Sequence, residues 1–282
     1  MGTINKIIGK AATVISTISG TALSGVSAVL NQVIALFTWA DDKSLDFDGT
    51  NDYVDISGVD TTINTTTGSV SAWIKLDTVG ASVTAFMASA DANNFIRLWY
   101  KNDDSTLRWQ FKRGGTANAL SYSIVVENDG NWHHMVLTWS TNDLKGYLDG
   151  TEVASATASG TFSGTIDTVH IGRISTSSAG YWLGNIDEVT LFTSALTAAN
   201  VRAMYNSGDP TDLRSDAGNY NASSNLIGYW LLGDSDTYPT ITDRSDEGND
   251  GTMTNMASGD IVADVPDSAF TFTMNTENAG SA

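Results

Sequence analysis

The chain has 282 residues, enough for one large β domain or two small ones. Its 32 acidic and 14 basic residues give a formal net charge of −18, a field that repels nucleic-acid phosphates and anionic membrane surfaces and so excludes both as partners. It contains no cysteine, which excludes a disulfide scaffold, a thiolate metal site and a cysteine nucleophile.

Residues 1–40 carry a repeat with a period of eleven residues. Its three copies lie at 4–14, 15–25 and 26–36. Gly9, Gly20 and Asn31 share one column, and because Gly and Asn tolerate positive φ, this column favours short strand-and-turn units. The alternative is an apolar helix, since an eleven-residue period also suits a right-handed supercoil. A segment so short cannot bury its own apolar surface, so we predict that residues 1–40 contact other structural subunits and that the protein is a homo-oligomer.

The same N-terminal region does not match a secretion signal or a membrane span. Ser, Thr and Gly interrupt the apolar stretch, and no A-x-A cleavage pattern follows it. Residues 11–40 lack charge but contain too many small polar residues to cross a bilayer. The sequence therefore predicts neither a Sec signal nor a transmembrane helix.

From Ser44 onward the hydrophobic period is two. In residues 69–76, apolar side chains at Val70, Ala72 and Ile74 alternate with more polar ones, as in a half-buried strand. The same signal recurs at 94–101, 106–113, 131–139 and 144–148. The dipeptide Asp149-Gly150 predicts a hairpin with a type I′ turn. Many strands at this spacing predict an antiparallel sandwich.

One helix is predicted after these strands, over residues 194–208. Thr197 is the expected N-cap and Gly208 the expected end. Leu196, Val201 and Met204 would form its apolar stripe, so we expect the helix to cover an edge or end of the sandwich.

Five segments together resemble the laminin-G-like jelly rolls of the concanavalin A-like lectin/glucanase fold. They lie at 45–56, 69–76, 131–139, 146–153 and 184–208. The resemblance covers roughly residues 44–208 and implies an all-β protein, an antiparallel jelly-roll sandwich.

Residues 225–255 resemble a segment that usually precedes the F-D-G-x-x-D-Y-V motif of this family, yet here they follow it. Circular permutation would explain this order if strands near 226–232 and 249–254 return to pair beside the strand at 45–56. Donation of these strands to a neighbouring subunit is the alternative. We favour permutation. The expected division is an assembly segment at 1–40, a jelly roll at 41–208, a linker loop at 209–225, and strands that complete the sandwich, with a tail, at 226–282.

Calcium is the cofactor that the resemblance implies. The family often holds Ca²⁺ at a rim of the sandwich through Asp and carbonyl oxygens, and the matching positions are Asp48, Asp52 and Asp187. Hydrogen bonds that stabilise turns are the alternative role for each of these carboxylates.

A sugar-binding surface is the second expectation. Trp99, Tyr100 and Trp109 lie on neighbouring predicted strands near Arg97, and a concave sheet face could present them together to a host-surface glycan. The alternative is that these aromatic side chains fill the core.

No catalytic residue is predicted. The chain lacks the E-x-D-x-E string common in glycosidases of this fold, and Asp187 and Glu188 should point to opposite faces unless a bulge intervenes.

The N-terminal repeat, the lack of a secretion signal and the lectin-like sandwich lead us to expect a bacteriophage virion structural protein, of the fibre, decoration or adhesin-like kind. Such a protein would display a lectin-like domain for surface or glycan attachment. The alternative is a secreted or cell-surface carbohydrate-binding module.

Overall fold

A computed structural model describes residues 41–266 except 125, 127 and 128, so the predictions for residues 1–40 and for the tail after 266 lie outside the described residues. The strands are β1 (Ser44–Asp48), β2 (Tyr53–Asp55), β3 (Gly68–Leu76), β4 (Val83–Asp91), β5 (Asn94–Lys101), β6 (Thr106–Arg113), β7 (Thr116–Ser123), β8 (His133–Trp139), β9 (Leu144–Leu148), β10 (Thr151–Ala156), β11 (Thr168–Ile171), β12 (Leu183–Phe192), β13 (Leu226–Trp230), β14 (Thr240–Ile241), β15 (Gly251–Thr254) and β16 (Ile261–Val262). Helix α1 spans Ala198–Tyr205, between β12 and β13.

The strands form two antiparallel sheets. Sheet A has the order β10-β9-β8-β3-β12-β1-β16, with β13 also paired to β12, and sheet B has the order β14-β15-β2-β11-β4-β5-β6-β7. Apolar side chains from one face of each sheet form the core. This arrangement confirms the prediction of an antiparallel jelly-roll sandwich.

Alternation along each strand decides which side chains enter the core. In β5, Ile96, Leu98 and Tyr100 are buried in the core, whereas Arg97 and Trp99 lie on the opposite, outer face of sheet B. Large aromatic side chains fill the space between the sheets. The largest fully buried ones include Trp109, Trp139, Trp182 and Trp230.

Local signals for the hairpin and the helix are also confirmed. Asp149 and Gly150 have φ values of 49° and 75°, the two positive angles of a type I′ turn. Thr197 Oγ1 accepts a hydrogen bond at 3.2 Å from the Asn200 N–H and so caps α1. The helix ends slightly before the predicted Gly208, because Asn206 adopts the left-handed conformation at φ 42° and closes the last turn.

The C-terminal strands pair within the chain. β15 pairs with β2, and β16 pairs with the start of β1, as the permutation hypothesis requires. The expectation that residues 226–232 would pair beside 45–56 is wrong, because β13 pairs with β12 through Val189↔Trp230. β12 is long enough to hold β1 along its first half and β13 along its second, so β1 and β13 lie on the same side of one strand.

We expect deletion of residues 226–282 to abolish folding of the sandwich. The deletion removes the buried side chains of Trp230, Ile241 and Met253 and exposes one side of β2. Circular dichroism and size-exclusion chromatography check this outcome. A chain that ends at residue 266 keeps every described strand and should stay folded and monodisperse.

Candidate functional site

The outer face of β5 and β6 carries aromatic and cationic side chains side by side. Trp99 lies directly across from Arg108, and Arg97 lies across from Gln110, so all four point to the same side of sheet B. The Arg97 guanidinium carbon lies 4.3 Å from the centroid of the Trp99 ring, and that of Arg108 lies 5.6 Å from it. Trp99 therefore holds two guanidinium groups over its ring by cation–π attraction.

Arg97 is held in place by its neighbours on the sheet. Its Nε donates a hydrogen bond to Thr84 Oγ1 at 2.9 Å, and Nη2 donates to the same oxygen. Burial lowers the pKa of Arg97 to about 10, so the side chain stays charged at neutral pH. Among the described residues no carboxylate lies within 4 Å of it, which leaves the charge without a counter-ion. We call Arg97, Trp99, Arg108, Gln110 and Lys112 the Trp99 face.

A loop at residues 172–182 lies beside the Trp99 face. The Gly180 carbonyl accepts a hydrogen bond from the Thr84 N–H at 2.9 Å, and the Ser175 and Ser89 hydroxyls are 2.6 Å apart. Thr84 and Ser89 are consequently buried although they lie on the outer side of β4. The loop thus covers β4, while most outward residues of β5 and β6 are half-buried and those of β7 are exposed.

Two of the predicted sugar-binding residues cannot reach a ligand on this face. Tyr100 is 1% exposed and Trp109 is 0% exposed, and both point into the core. Successive side chains of a strand face opposite sides, and Tyr100 directly follows Trp99 while Trp109 directly follows Arg108. The expectation that one face presents them together with Trp99 is wrong for these two residues. Trp99 and Arg97 do lie together.

A bulge in β12 brings the two successive carboxyls of Asp187 and Glu188 into one region. The pairing with β3 shifts between Asp187 and Thr190, and Glu188 adopts a φ of 48°. The Glu188 N–H donates to Asp187 Oδ1 at 2.8 Å, and the Tyr229 hydroxyl donates to Glu188 Oε2 at 2.7 Å. Regular alternation along a strand would place these two carboxyls on opposite faces of the sheet, so the bulge is what brings them together.

Asp41 and Asp234 complete a group of four acidic residues around the bulge, which we call the carboxyl cluster. Asp41, Asp187 and Glu188 each have a buried carboxyl oxygen to which no N–H or hydroxyl group of the described residues donates. The Asp41 carboxyl is also a hydrogen-bonding neighbour of the Asp187 and Asp234 carboxyls, so a proton on one of them can be shared. Both Asp234 oxygens accept a hydrogen bond from the Asp42 N–H, at 3.0 and 3.1 Å. Among the described residues, no Lys, Arg or His forms an ion pair with any of the four side chains.

Burial raises the pKa of every member of the carboxyl cluster. It raises the pKa of Asp234 to about 7 and, with the Glu188 charge, that of Asp41 to about 10. Burial and the neighbouring Asp41 charge raise the pKa of Asp187 well above its ordinary value. Burial does the same to the pKa of Glu188, although the Tyr229 hydrogen bond opposes it. The cluster must therefore hold protons or a cation at neutral pH.

The three predicted calcium ligands are not brought together. Asp48 and Asp52 stabilise the turn after β1: Asp52 Oδ2 accepts from the Asp48 N–H at 3.1 Å, and Asp48 Oδ1 accepts from the Thr50 N–H at 2.7 Å. Asp48 pairs with Leu183 at the start of β12. Asp187 lies further along the same strand, at the bulge, and so is separated from this turn. Within the described part of the chain, no three His, Asp or Glu side chains are arranged around one point as metal ligands.

The oxygens of the carboxyl cluster nevertheless suit a hard cation in their chemistry. Carboxylate oxygens are the ligands that Ca²⁺ prefers, and unpaired buried oxygens are those that a cation would neutralise. The four side chains do not converge on one point in the structure, so they would have to rearrange to bind a cation together. Asp41, Glu188 and Asp234 were not among the sequence candidates for a metal site.

His133, His134 and the Asp187–Glu188 pair are engaged in contacts or buried from solvent. His133 binds Asp149 at 2.9 Å and Asp129 at 3.0 Å, so it links two loops. His134 is buried and stacks against Trp73 at 4.9 Å between centroids. Asp187 and Glu188 are 0% and 3% exposed, which keeps a polysaccharide away from their carboxyls.

A laminin-G-type family profile, described as the concanavalin A-like lectin/glucanases superfamily, matches residues 48–202, more than half of the chain. The chain belongs to this superfamily. The matched region contains the Trp99 face and the bulge of β12, while Asp41 and Asp234 lie outside it. No curated protein matched this superfamily member.

Solved structures share the sandwich of this superfamily member at low sequence identity. One is a candidate carbohydrate-binding protein from Bacteroides ovatus ATCC 8483. It has 18% sequence identity and a TM-score of 0.53, and the match covers 77% of this chain. The chain spans 59% of the length of that protein. Another is the CBM40 domain of the Ruminococcus gnavus IT-sialidase bound to α2,6 sialyllactose, with 14% identity, a TM-score of 0.50, and coverage of 58% of this chain and 96% of that domain. Identities this low show a shared fold.

Along the described part of the chain, no helix combines the length and the apolar character needed to span a membrane.

Proposed function

We propose that this superfamily member is a non-catalytic carbohydrate-binding domain and that the Trp99 face is its binding surface. The observation that carries the proposal is a half-buried tryptophan on the outer face of sheet B, bordered by Arg97 and Gln110. An apolar ring beside hydrogen-bonding groups suits a saccharide, which presents C–H groups and hydroxyls together. The fold of the CBM40 domain, solved with a bound sugar, supports the proposal by analogy.

Replacing Trp99 by Ala should weaken glycan binding by about five- to thirty-fold, since losing an aromatic contact costs roughly 1–2 kcal/mol. A glycan array with the full chain first identifies a bound sugar, and isothermal titration calorimetry then compares the variants. Trp132→Ala is the matched control, because Trp132 is also half-buried but precedes β8 in sheet A, where its Nε1 donates to Asp264 at 3.1 Å. A blank array, or equal losses in both variants, would refute the proposed surface.

We further propose that the protein is a structural subunit of a bacteriophage virion and displays this domain on the particle. The apolar repeat in residues 1–40 supports this role, as does the lectin-like sandwich that follows it in the sequence. Deleting residues 1–40 should leave a soluble domain that binds glycan but does not join the particle. Normal incorporation of the truncated protein would contradict the assembly role of residues 1–40, and absence of the full chain from the particle would favour a secreted or cell-surface module.

We also propose that the carboxyl cluster binds Ca²⁺ through Asp41, Asp187, Glu188 and Asp234. The support is the unpaired buried oxygens and the lack of an ion-pairing Lys, Arg or His among the described residues. A bound Ca²⁺ would supply positive charge that lets these carboxyls ionise. The side chains would then link the start of the sandwich, at Asp41, to β12 and to the segment after β13.

A further inference from the structure

The outer face of β5 and β6 has a charge opposite to that of the chain as a whole. Neither strand contains an acidic residue, although the chain has 32 of them against 14 basic residues. Four basic residues point outward from this strand pair. They are Arg97, Lys101, Arg108 and Lys112. The strand pair is therefore a locally cationic surface on a protein with a net charge of −18.

Two of these four cations are already neutralised by the turn that joins the strands. Lys101 Nζ lies 3.1 Å from an Asp104 oxygen, and Arg108 Nη2 lies 2.5 Å from the same carboxylate. Arg97 and Lys112 differ, because no carboxylate of the described residues lies within 4 Å of either. The unneutralised positive charge is thus concentrated at Arg97, because Asp91 lies near enough to Lys112 to interact with it electrostatically.

Arg97 lies across from Gln110, so Lys112 is its diagonal neighbour on the adjacent strand, with backbone positions about 7–8 Å apart. Their charged groups point apart, because the Arg97 guanidinium lies against Thr84 and Trp99 whereas Lys112 Nζ donates to the Ala92 carbonyl at 2.8 Å. On the next strand, β7, the outward residues opposite Gln110 and Lys112 are Ala119 and Ala117, both exposed. Their methyl side chains leave space beside the two cations.

The Arg97 guanidinium is fixed before any ligand arrives. Thr84 Oγ1 accepts two of its hydrogen bonds, and the Trp99 ring lies 4.3 Å from its central carbon. Burying a cation without a counter-ion is unfavourable, and that cost falls when an anion pairs with it. A preorganised guanidinium also loses little side-chain entropy on binding, which favours an anionic partner further.

We infer that the saccharide bound by the Trp99 face is anionic and that its carboxylate or sulfate group pairs with the Arg97 guanidinium. This inference rests on the proposed carbohydrate-binding function. Trp99 then has two roles, since it contacts the sugar ring and orients the Arg97 guanidinium.

The test compares pairs of sugars that differ only in charge. α2,6-Sialyllactose against lactose tests a carboxylate, and a κ-carrageenan tetrasaccharide against its desulfated form tests a sulfate. We expect the full chain to bind at least one acidic sugar about ten-fold or more tightly than its neutral partner, because hydrogen bonds to charged groups are the stronger ones. The preferred pair identifies the source of the anion.

Two arginine variants assign that preference to the Trp99 face. Arg97→Gln should reduce binding of the acidic sugar about ten- to one-hundred-fold and remove most of the difference within a pair. Arg202→Gln is the control, since Arg202 is exposed on α1 and has no ion pair among the described residues. Thermal unfolding of both variants shows whether the fold is intact, and Arg97→Lys provides a second variant that keeps the charge if Arg97→Gln unfolds.

The outcomes separate the inference from the proposed function. Equal binding of acidic and neutral sugars, or binding of neutral sugars alone, would overturn the anionic ligand and leave carbohydrate binding intact. An equal loss in the Arg97→Gln and Arg202→Gln variants would also overturn it. Failure of every sugar on the array to bind would overturn both.

Discussion

Calcium should raise the melting temperature of the chain by about 5–10 °C at pH 8, and by much less at pH 5. A ligand at one hundred times its Kd stabilises a folded protein by about 2.7 kcal/mol. For a domain of this size, each kcal/mol raises the melting temperature by roughly 2–4 °C. The pH dependence arises because Ca²⁺ binds carboxylates only after they lose their protons. Differential scanning calorimetry with Ca²⁺ or EDTA measures the shift.

Without calcium, stability should fall as the pH rises. The members of the carboxyl cluster have folded-state pKa values above their ordinary ones, so they keep protons that the unfolded chain has released. The stability that they contribute is complete below about pH 4 and is lost as the pH rises, through about 7 for Asp234 and towards 10 for Asp41. Calcium should remove this decline or reverse it.

The Asp187→Asn variant distinguishes the protonated state of the carboxyl cluster from its calcium-bound state. In EDTA at pH 8 the variant should be at least as stable as the natural chain, because an amide is neutral without taking up a proton and its oxygen can still accept the Glu188 N–H. In Ca²⁺ it should be less stable than the natural chain. Asp167→Asn, at an exposed position, is the control and should change neither value. A melting temperature that Ca²⁺ leaves unchanged at every pH would show that protons alone neutralise the cluster.

Trp109→Ala should destabilise the sandwich by about 3–5 kcal/mol, the usual cost of truncating a buried tryptophan. Trp109 is fully buried, and Gly146 packs so closely that a Cβ there would lie 2.8 Å from the indole ring. Trp99→Ala should cost much less stability, because Trp99 is half-buried on the outer face. Urea unfolding followed by circular dichroism compares the two.

The pattern should reverse for sugar binding. Trp109→Ala, measured under conditions in which it is still folded, should keep most of its affinity, whereas Trp99→Ala should lose it. Two tryptophans ten residues apart on paired strands would thus separate stability from recognition. A loss of affinity in Trp109→Ala equal to that in Trp99→Ala would contradict the assignment of the outer face.

Local patterns predicted most of the fold because local physics determines it. Alternation predicted the strands, and the Asp149-Gly150 dipeptide predicted its turn, since only certain residues tolerate two positive φ angles. The Thr197 cap of α1 was recognisable for a similar reason. The path of β13 was not, because the sequence does not show which part of a long strand such as β12 still has an unpaired side.

The candidate sites were harder to predict because they depend on which face a residue occupies and on distant contacts. Trp99 and Tyr100 are adjacent and equally aromatic, and only the packing of the two sheets decides that one is outside and the other inside. Strand alternation did imply that Trp99 and Tyr100 face opposite sides, and this signal could have shown that at most one of them lies on a sugar-binding face. Asp41 and Asp234 lie almost two hundred positions apart in the sequence, so only the folded chain shows that they share the carboxyl cluster with Asp187.

Tryptophan indole resonances give the most direct test of the Trp99 face. In a ¹⁵N-labelled chain, titration with the best-bound sugar should shift the Nε1–H resonance of Trp99, assigned with a Trp99→Phe variant. The indoles of the core tryptophans Trp139, Trp182 and Trp230 should stay nearly unchanged. Shifts confined to Trp73 or Trp132, on the side of sheet A, would place the sugar elsewhere and contradict the account.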